Sequence, residues 1–154
     1  MECPTAKCPD WLFDRIKAAN GSISFYEFMD LCLNDTENGL YGSGRVRIGK
    51  KGDFVTSPSL GADFAELVAV QLVDWLEQIK NKEDSDQTLA LIEIGPGEGD
   101  LSKDLILTLQ KIAPEIINKL ELILVEPNRG MKEIQKKNLD TLSFISVRWM
   151  SLED

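Results

Sequence analysis

The most pronounced feature of the hydropathy pattern is the apolar run Leu89-Ala90-Leu91-Ile92-Glu93-Ile94, which stops at glycines and restarts as an amphipathic repeat. A short apolar run bounded by glycine and followed by 3.6-residue periodicity predicts a strand, a tight turn and a helix start. Leu101, Leu105, Leu109 and Ile112 form the helical stripe, Pro114 stops it, and residues 120–125 form a second apolar run. Strand, helix and strand make a βαβ unit, so the two strands are expected to be parallel with a right-handed crossover. Asn128 is placed to cap a further helix containing Met131 and Ile134, and residues 142–147 alternate as a third strand.

Upstream, residues 11–16 read as a short helix that Asn20-Gly21 ends. Ser24 and Glu27 make a capping box, after which Phe25, Phe28, Met29, Cys32 and Leu33 recur along one helical face. These residues are assigned to packing, since burying one Phe is worth about 1.5–3 kcal/mol. Between 34 and 61 the periodicity vanishes and glycine accumulates at 39, 42, 44, 49, 52 and 61, with Arg45, Arg47, Lys50 and Lys51 among them. Tyr41, Phe54 and Val55 give this stretch apolar anchors, which predicts an ordered loop with a short hairpin lying near the ligand. Its basic residues either serve that ligand or are solvated surface charges. Phe64, Leu67, Val68, Leu72, Trp75, Leu76 and Ile79 mark a long amphipathic helix, begun near Ser57-Pro58-Ser59 and closed by the polar run 81–88. That run is read as a hinge. It separates an N-terminal helical region, 1–80 with the Gly-rich loop 34–61, from an α/β part, 88–154, holding three strands of a parallel sheet.

Composition narrows the chemistry. The net charge of -9 argues against a nucleic-acid partner, because phosphate contacts need a basic face. With no histidine, the Ser-His-Asp and Cys-His pairings and His-rich zinc sites are excluded. Cys3, Cys8 and Cys32 are odd in number and form no C-x-x-C pair, which suits a reducing compartment. A metal role for Cys3 and Cys8 would need two more ligands, so no metal site is expected. No basic stretch leads into a long apolar one, and no apolar run approaches the ~20 residues of a membrane span. A soluble cytoplasmic chain without membrane insertion is the expectation.

Gly95, Gly97 and Gly99 allow positive φ and let a ligand lie against the turn beneath the next helix. Such turns serve several cofactors, and some bind nothing. A dinucleotide fingerprint wants Gly or Ala at the third-glycine position, where Asp100 stands here. Glu93, Glu98 and Asp100 form a carboxylate collar that repels pyrophosphate and tolerates a cation. Pro96 removes one N–H that a phosphate cradle would use. The second strand runs into Glu126 at its carboxyl end, where open α/β sheets bind ligands. A carboxylate there can accept both hydroxyls of a ribose, or be a solvated strand end.

The spacing Glu93-x-Gly95-x-Gly97-x-Gly99 resembles the first motif of class I methyltransferases. Ile23-Ser24-Phe25 with Phe28-Met29, Gly39-Leu40-Tyr41 and Gly52-Asp53-Phe54-Val55-Thr56-Ser57-Pro58 resemble, in order, the N-terminal signature of the MidA family of S-adenosylmethionine-dependent methyltransferases. Residues 93–101 with Asp104-Leu105-Ile106, and Val125-Glu126-Pro127 with Gln135, resemble its cofactor motifs. The chain departs from the family at Ser59, where a glutamate is usual, and at Glu98, where a basic residue is common. The resemblance covers the N-terminal portion of longer family members, and it implies that 88–154 is the first part of a Rossmann-like, S-adenosylmethionine-binding domain. It implies S-adenosylmethionine as cofactor, with its methionine end at Gly95, Gly97 and Gly99, its ammonium oriented by Glu93 and its ribose held by Glu126. It also implies protein arginine methylation, a respiratory complex I-type subunit as the protein partner, and Asp53 as candidate catalytic base, since a guanidinium acceptor must lose a proton. A non-enzymatic S-adenosylmethionine-binding assembly factor or fragment is the alternative, and an NAD-dependent oxidoreductase a further one. With strands missing, the first strand becomes a sheet edge, so a homo-oligomer formed through it is expected unless the long helix covers it.

Overall fold

Residues 7–82 and 88–153 are described by the computed structural model. Cys3 and most of the predicted hinge, 83–87, lie outside them. Helix α1, Asp10–Ala18, ends in the left-handed pair Asn20 (φ 61) and Gly21 (φ 88), as the Asn-Gly step foretold. Helix α2, Phe25–Asn34, carries the complete capping box: the Ser24 Oγ accepts the Glu27 N–H at 3.1 Å, and the Glu27 carboxylate accepts the Ser24 N–H at 2.8 Å.

The α2 stripe does not pack as expected. No α2 residue is buried, and Phe25 is 76% exposed. Helical periodicity shows that one face is apolar, but it does not supply an element to lie against it. Phe28, Cys32 and Leu33 are half-buried, and at the C-terminal end of α2 the Cys32 and Leu33 carbonyls accept N–H groups from Leu40, Tyr41 and Gly42.

The Gly-rich stretch is an ordered loop rather than a hairpin. Its single bridge, Ile48 with Phe54, is parallel, and Val46 is fully buried. A 3-10 turn at Pro58–Leu60 and Gly61 separate it from α3, Asp63–Lys82, which starts later than the Ser-Pro-Ser signal indicated. The inner face of α3 is also narrower than its sequence stripe. Ala65, Ala69 and Leu76 are buried, with Val68, Leu72 and Val73 packed beside them, whereas Phe64, Leu67, Trp75 and Ile79 are exposed. Small residues let α3 approach α4, against which it packs.

The α/β part runs β1 (Leu89–Ile94), α4 (Asp100–Ile112), α5 (Pro114–Ile117), β2 (Leu120–Val125), α6 (Arg129–Asn138) and β3 (Ser146–Met150). The sheet is parallel throughout in the order β1-β2-β3, with Leu91 opposite Leu122 and Leu122 opposite Val147. Strand β3 begins later than the alternation at 142–147 predicted. Leu142 is buried in a turn closed by its own N–H to the Leu139 carbonyl, and the apolar alternation there belongs to that turn. Alternate strand residues Leu89, Leu120, Leu122 and Leu124 join the inner faces of α3, α4 and α5 in one core. On the other face, Ile92 and Ile94 stay 57% and 70% exposed, and β1 is the edge of the sheet. Arg148 of β3 grips the Glu121 carboxylate of β2 with two bonds of 3.1 Å. Among the described residues, no helix is long and apolar enough to cross a membrane.

Candidate functional site

All three glycines of the turn between β1 and α4 have positive φ: 67° at Gly95, 57° at Gly97 and 89° at Gly99. L-residues avoid this region, so the sequence can fold into the turn only with glycine there. The Gly95 N–H reaches across to the Val125 carbonyl at 3.0 Å, and the Gly99 N–H closes on the Pro96 carbonyl at 2.8 Å. The turn is thereby fixed to the carboxyl ends of both strands.

Glu126 follows β2 directly and is 5% exposed. Its two oxygens are held apart by two donors, the Asn128 N–H at 2.9 Å and the Gln135 Nε2 at 3.1 Å. An ionised carboxylate has about four acceptor positions, so lone pairs remain for a ligand's hydroxyls. Asn128 stands at the N-cap position of α6 as predicted but caps nothing with its side chain, which donates to Asn34 Oδ1 instead. Gln135 is wholly buried and joins three parts of the site: its Nε2 also donates to the Gly97 carbonyl at 2.8 Å, and its Oε1 accepts the Trp149 indole N–H at 3.0 Å. Sequence reading placed Gln135 in a motif without a role. Its signal was position, four residues after buried Met131 on the inward face of α6.

Each member of the acidic collar has a partner. Glu93 accepts the hydroxyl of buried Ser102, and its carboxyl is raised above the ordinary range by burial, opposed by the Ser102 hydroxyl and N–H and reinforced by Asp100. Glu98 accepts the Ile48 N–H at 2.8 Å. Asp100 accepts from Asn138 Nδ2 at 2.8 Å, and the same amide donates to the Glu98 carbonyl at 3.0 Å. No local spacing marks Ser102, Asn138 and the Ile48 backbone as the donors.

These groups enclose one cavity of about 490 Å³, within the roughly 300–1,000 Å³ usual for small-molecule sites. Glu93, Gly95, Gly97, Glu98, Asp100 and Glu126 line one side; Tyr41, Ile48, Phe54, Thr56 and Pro58 of the Gly-rich loop line the other. Gly99 sits behind the turn, facing Leu139. Among the described residues, four carboxylates and no Lys or Arg line this cavity, which suits a ligand carrying positive charge and hydroxyls and disfavours pyrophosphate. Arg45 and Arg47 instead bond loop carbonyls, and Lys50 and Lys51 are exposed, so the basic residues are surface charges. Asp53 is not on the cavity wall. Its Oδ2 accepts the Arg47 N–H at 2.9 Å and its own N–H donates to the Arg47 carbonyl at 2.7 Å, so it closes the loop upon itself. A loop aspartate flanked by glycine satisfies nearby backbone donors first.

The residues fit S-adenosylmethionine: a phosphate-free cradle, a buried acceptor at the strand end and a desolvated carboxyl beside them. A family described as "putative S-adenosyl-L-methionine-dependent methyltransferase" matches residues 67–154. Mitochondrial protein arginine methyltransferase NDUFAF7 of Bos taurus is 32% identical over 130 residues, which are 83% of this chain and 28% of that protein. The Drosophila melanogaster homologue is 30% identical over 118 residues, 77% of this chain and 26% of its own length. This chain therefore spans less than a third of either relative. A COG1565 superfamily member from Burkholderia thailandensis, bound to S-adenosyl-homocysteine, shares the fold with a TM-score of 0.63 at 24% identity, over 91% of this chain and 35% of that one. The β-α-β-α-β arrangement is thus part of a Rossmann-like sheet. The chain belongs to this MidA-like family of S-adenosylmethionine-dependent methyltransferases, whose cofactor is S-adenosylmethionine.

Proposed function

We propose that this chain is the cofactor-binding portion of a methyltransferase that modifies a protein arginine. The observation that carries the reading is the convergence of the positive-φ glycine turn and buried Glu126 on one cavity free of basic residues. Glu93 faces the cofactor's ammonium in this reading, Gly95 and Gly97 admit its methionine end, Gly99 lets the turn close behind them, and Glu126 accepts its ribose hydroxyls. When bound, the sulfonium supplies the methyl group; the protein's part is to hold it in line with the acceptor, and alignment accounts for much of such an acceleration. Arginine as acceptor rests on the names of the relatives. A respiratory complex I-type subunit as partner rests on the MidA resemblance. The odd cysteine count suits a reducing compartment such as the cytoplasm, whereas the relatives are named as mitochondrial. The non-enzymatic, cofactor-binding reading is favoured by one observation: Asp53, the candidate base, is turned into its own loop.

Calorimetry with S-adenosylhomocysteine tests the core of the proposal. Replacing Glu126 by Ala should cost about 1.5–3 kcal/mol of affinity, the range for hydrogen bonds to a charged group. An analogue lacking the ribose hydroxyls should be indifferent to the substitution. If the analogue loses as much affinity as the parent, Glu126 is not the ribose acceptor.

A further inference from the structure

We propose that Glu98 is a positioning residue, the latch that holds residues 47–54 closed over the cofactor cavity. The segment is braced internally: Asp53 N–H to the Arg47 carbonyl at 2.7 Å, Gly49 N–H to the Phe54 carbonyl and Gly52 N–H to the Gly49 carbonyl, both at 2.9 Å. It therefore moves as a unit. Gly44 (φ 69) and Gly61 (φ 154), which flank it, offer backbone freedom on either side. Among the described residues, its hydrogen bond to the α/β part is the one from Ile48 N–H to the Glu98 carboxylate, between residues 50 positions apart. The bond brings the Ile48 side chain against the glycine turn, where a Cβ added to Gly97 would lie 2.8 Å from Ile48 Cδ1. Ile48 and Phe54 are thereby set as the outer wall of the cavity.

A ligand seated on the glycine turn lies beneath this wall, so the latch governs entry and escape rather than chemistry. The identity of that ligand rests on the function proposed above; the latch does not. Lys50 and Lys51 are exposed at the tip of the segment and offer trypsin a site whose cleavage reads opening. When opening is fast relative to cleavage, the rate tracks the open population. Glu98→Ala removes the acceptor and should raise cleavage after these lysines on the order of tenfold, the factor that about 1.4 kcal/mol represents. Glu98→Gln keeps an oxygen for the Ile48 N–H and should restore most of the resistance, which a loss of charge alone would not. Ile48→Pro deletes the same bond from the loop side together with the Ile48 contact on the turn, and should raise tip cleavage at least as much as Glu98→Ala. Cleavage elsewhere in the chain serves as the control for global unfolding. Added S-adenosylhomocysteine should protect the wild-type tip and should dissociate faster from Glu98→Ala. Equal tip cleavage in wild type, Glu98→Ala and Ile48→Pro overturns the latch. Faster cleavage in both variants without protection by S-adenosylhomocysteine upholds the latch and removes the cofactor reading instead.

Discussion

Glu93 occupies the helix-facing side of β1, in line with Leu89 and Leu91, one residue before Ile94 ends the strand at the glycine turn. A carboxyl there loses water, and burial raises its pKa above the usual 4.5 despite the Ser102 hydroxyl. Folding thus favours the protonated form. Its contribution to stability is intact below the unfolded value and declines as pH climbs through the raised one. A bound ammonium reverses the preference by favouring the carboxylate. Affinity for S-adenosylhomocysteine should therefore strengthen as pH rises through the Glu93 transition, with proton release on binding below it. Asp104 is also raised, chiefly by burial and then by Asp100, so the comparison must be with Glu93→Gln, where calorimetry in two buffers should find this proton release absent. Persistence of the full release in that variant would assign the proton elsewhere. The carboxylates and glycines of the site were legible because they lie within one turn and one strand end. Their donors were not, because Asn138 and Ile48 reach the turn across the fold and no local spacing encodes such a meeting.

At the scale of elements, α1, α2, α4 and both β1 and β2 were readable from caps, breakers and apolar runs. Their partners were less so. The stripe on α2 is only half-buried, with Phe25 and Met29 exposed, and α3 turns its alanines rather than its aromatics inward, because periodicity defines a face and packing then selects the residues small enough for close approach. The junction between the Gly-rich loop and α6 shows the same limit. Gly130 donates its N–H to the Gly42 carbonyl at 3.0 Å, and a Cβ on it would meet the backbone of residues 42–44, including the Gly42 oxygen at 2.5 Å. Backbone cannot step aside as a flexible side chain can. Gly130→Ala is expected to cost about 1–3 kcal/mol, the usual penalty of overpacking, seen as a lower urea midpoint. Because Tyr41 of this loop lines the cavity, ligand affinity should fall as well. A variant with unchanged midpoint and affinity would show that the loop is not seated on α6 in solution.

For the molecule as a whole, the sheet is parallel, its helix-facing side is buried, and its other side is closed at Ile123 of β2 but open along β1. Parallel sheets are ordinarily buried on both, because unpaired strand edges and apolar faces attract other chains. Here Ile92 and Ile94 are exposed on the uncovered face of β1, and its outer edge carries no partner strand among the described residues. Helix α3, the element in sequence best placed to cover that edge, packs against α4 and α5 instead. The chain spans 28% of the Bos taurus relative. We therefore expect this polypeptide to self-associate through β1 while retaining its cofactor cavity, which opens between the glycine turn and the Gly-rich loop. Sedimentation velocity should show concentration-dependent association, and Ile92→Lys combined with Ile94→Lys should shift the population toward monomer, since charge on an edge strand opposes pairing. Affinity for S-adenosylhomocysteine should survive that double substitution, as neither isoleucine lines the cavity. A methyl-transfer assay on cell extract should find no activity in either form. A wild-type chain that sediments as a monomer and transfers methyl groups would show that this partly covered sheet of three strands suffices.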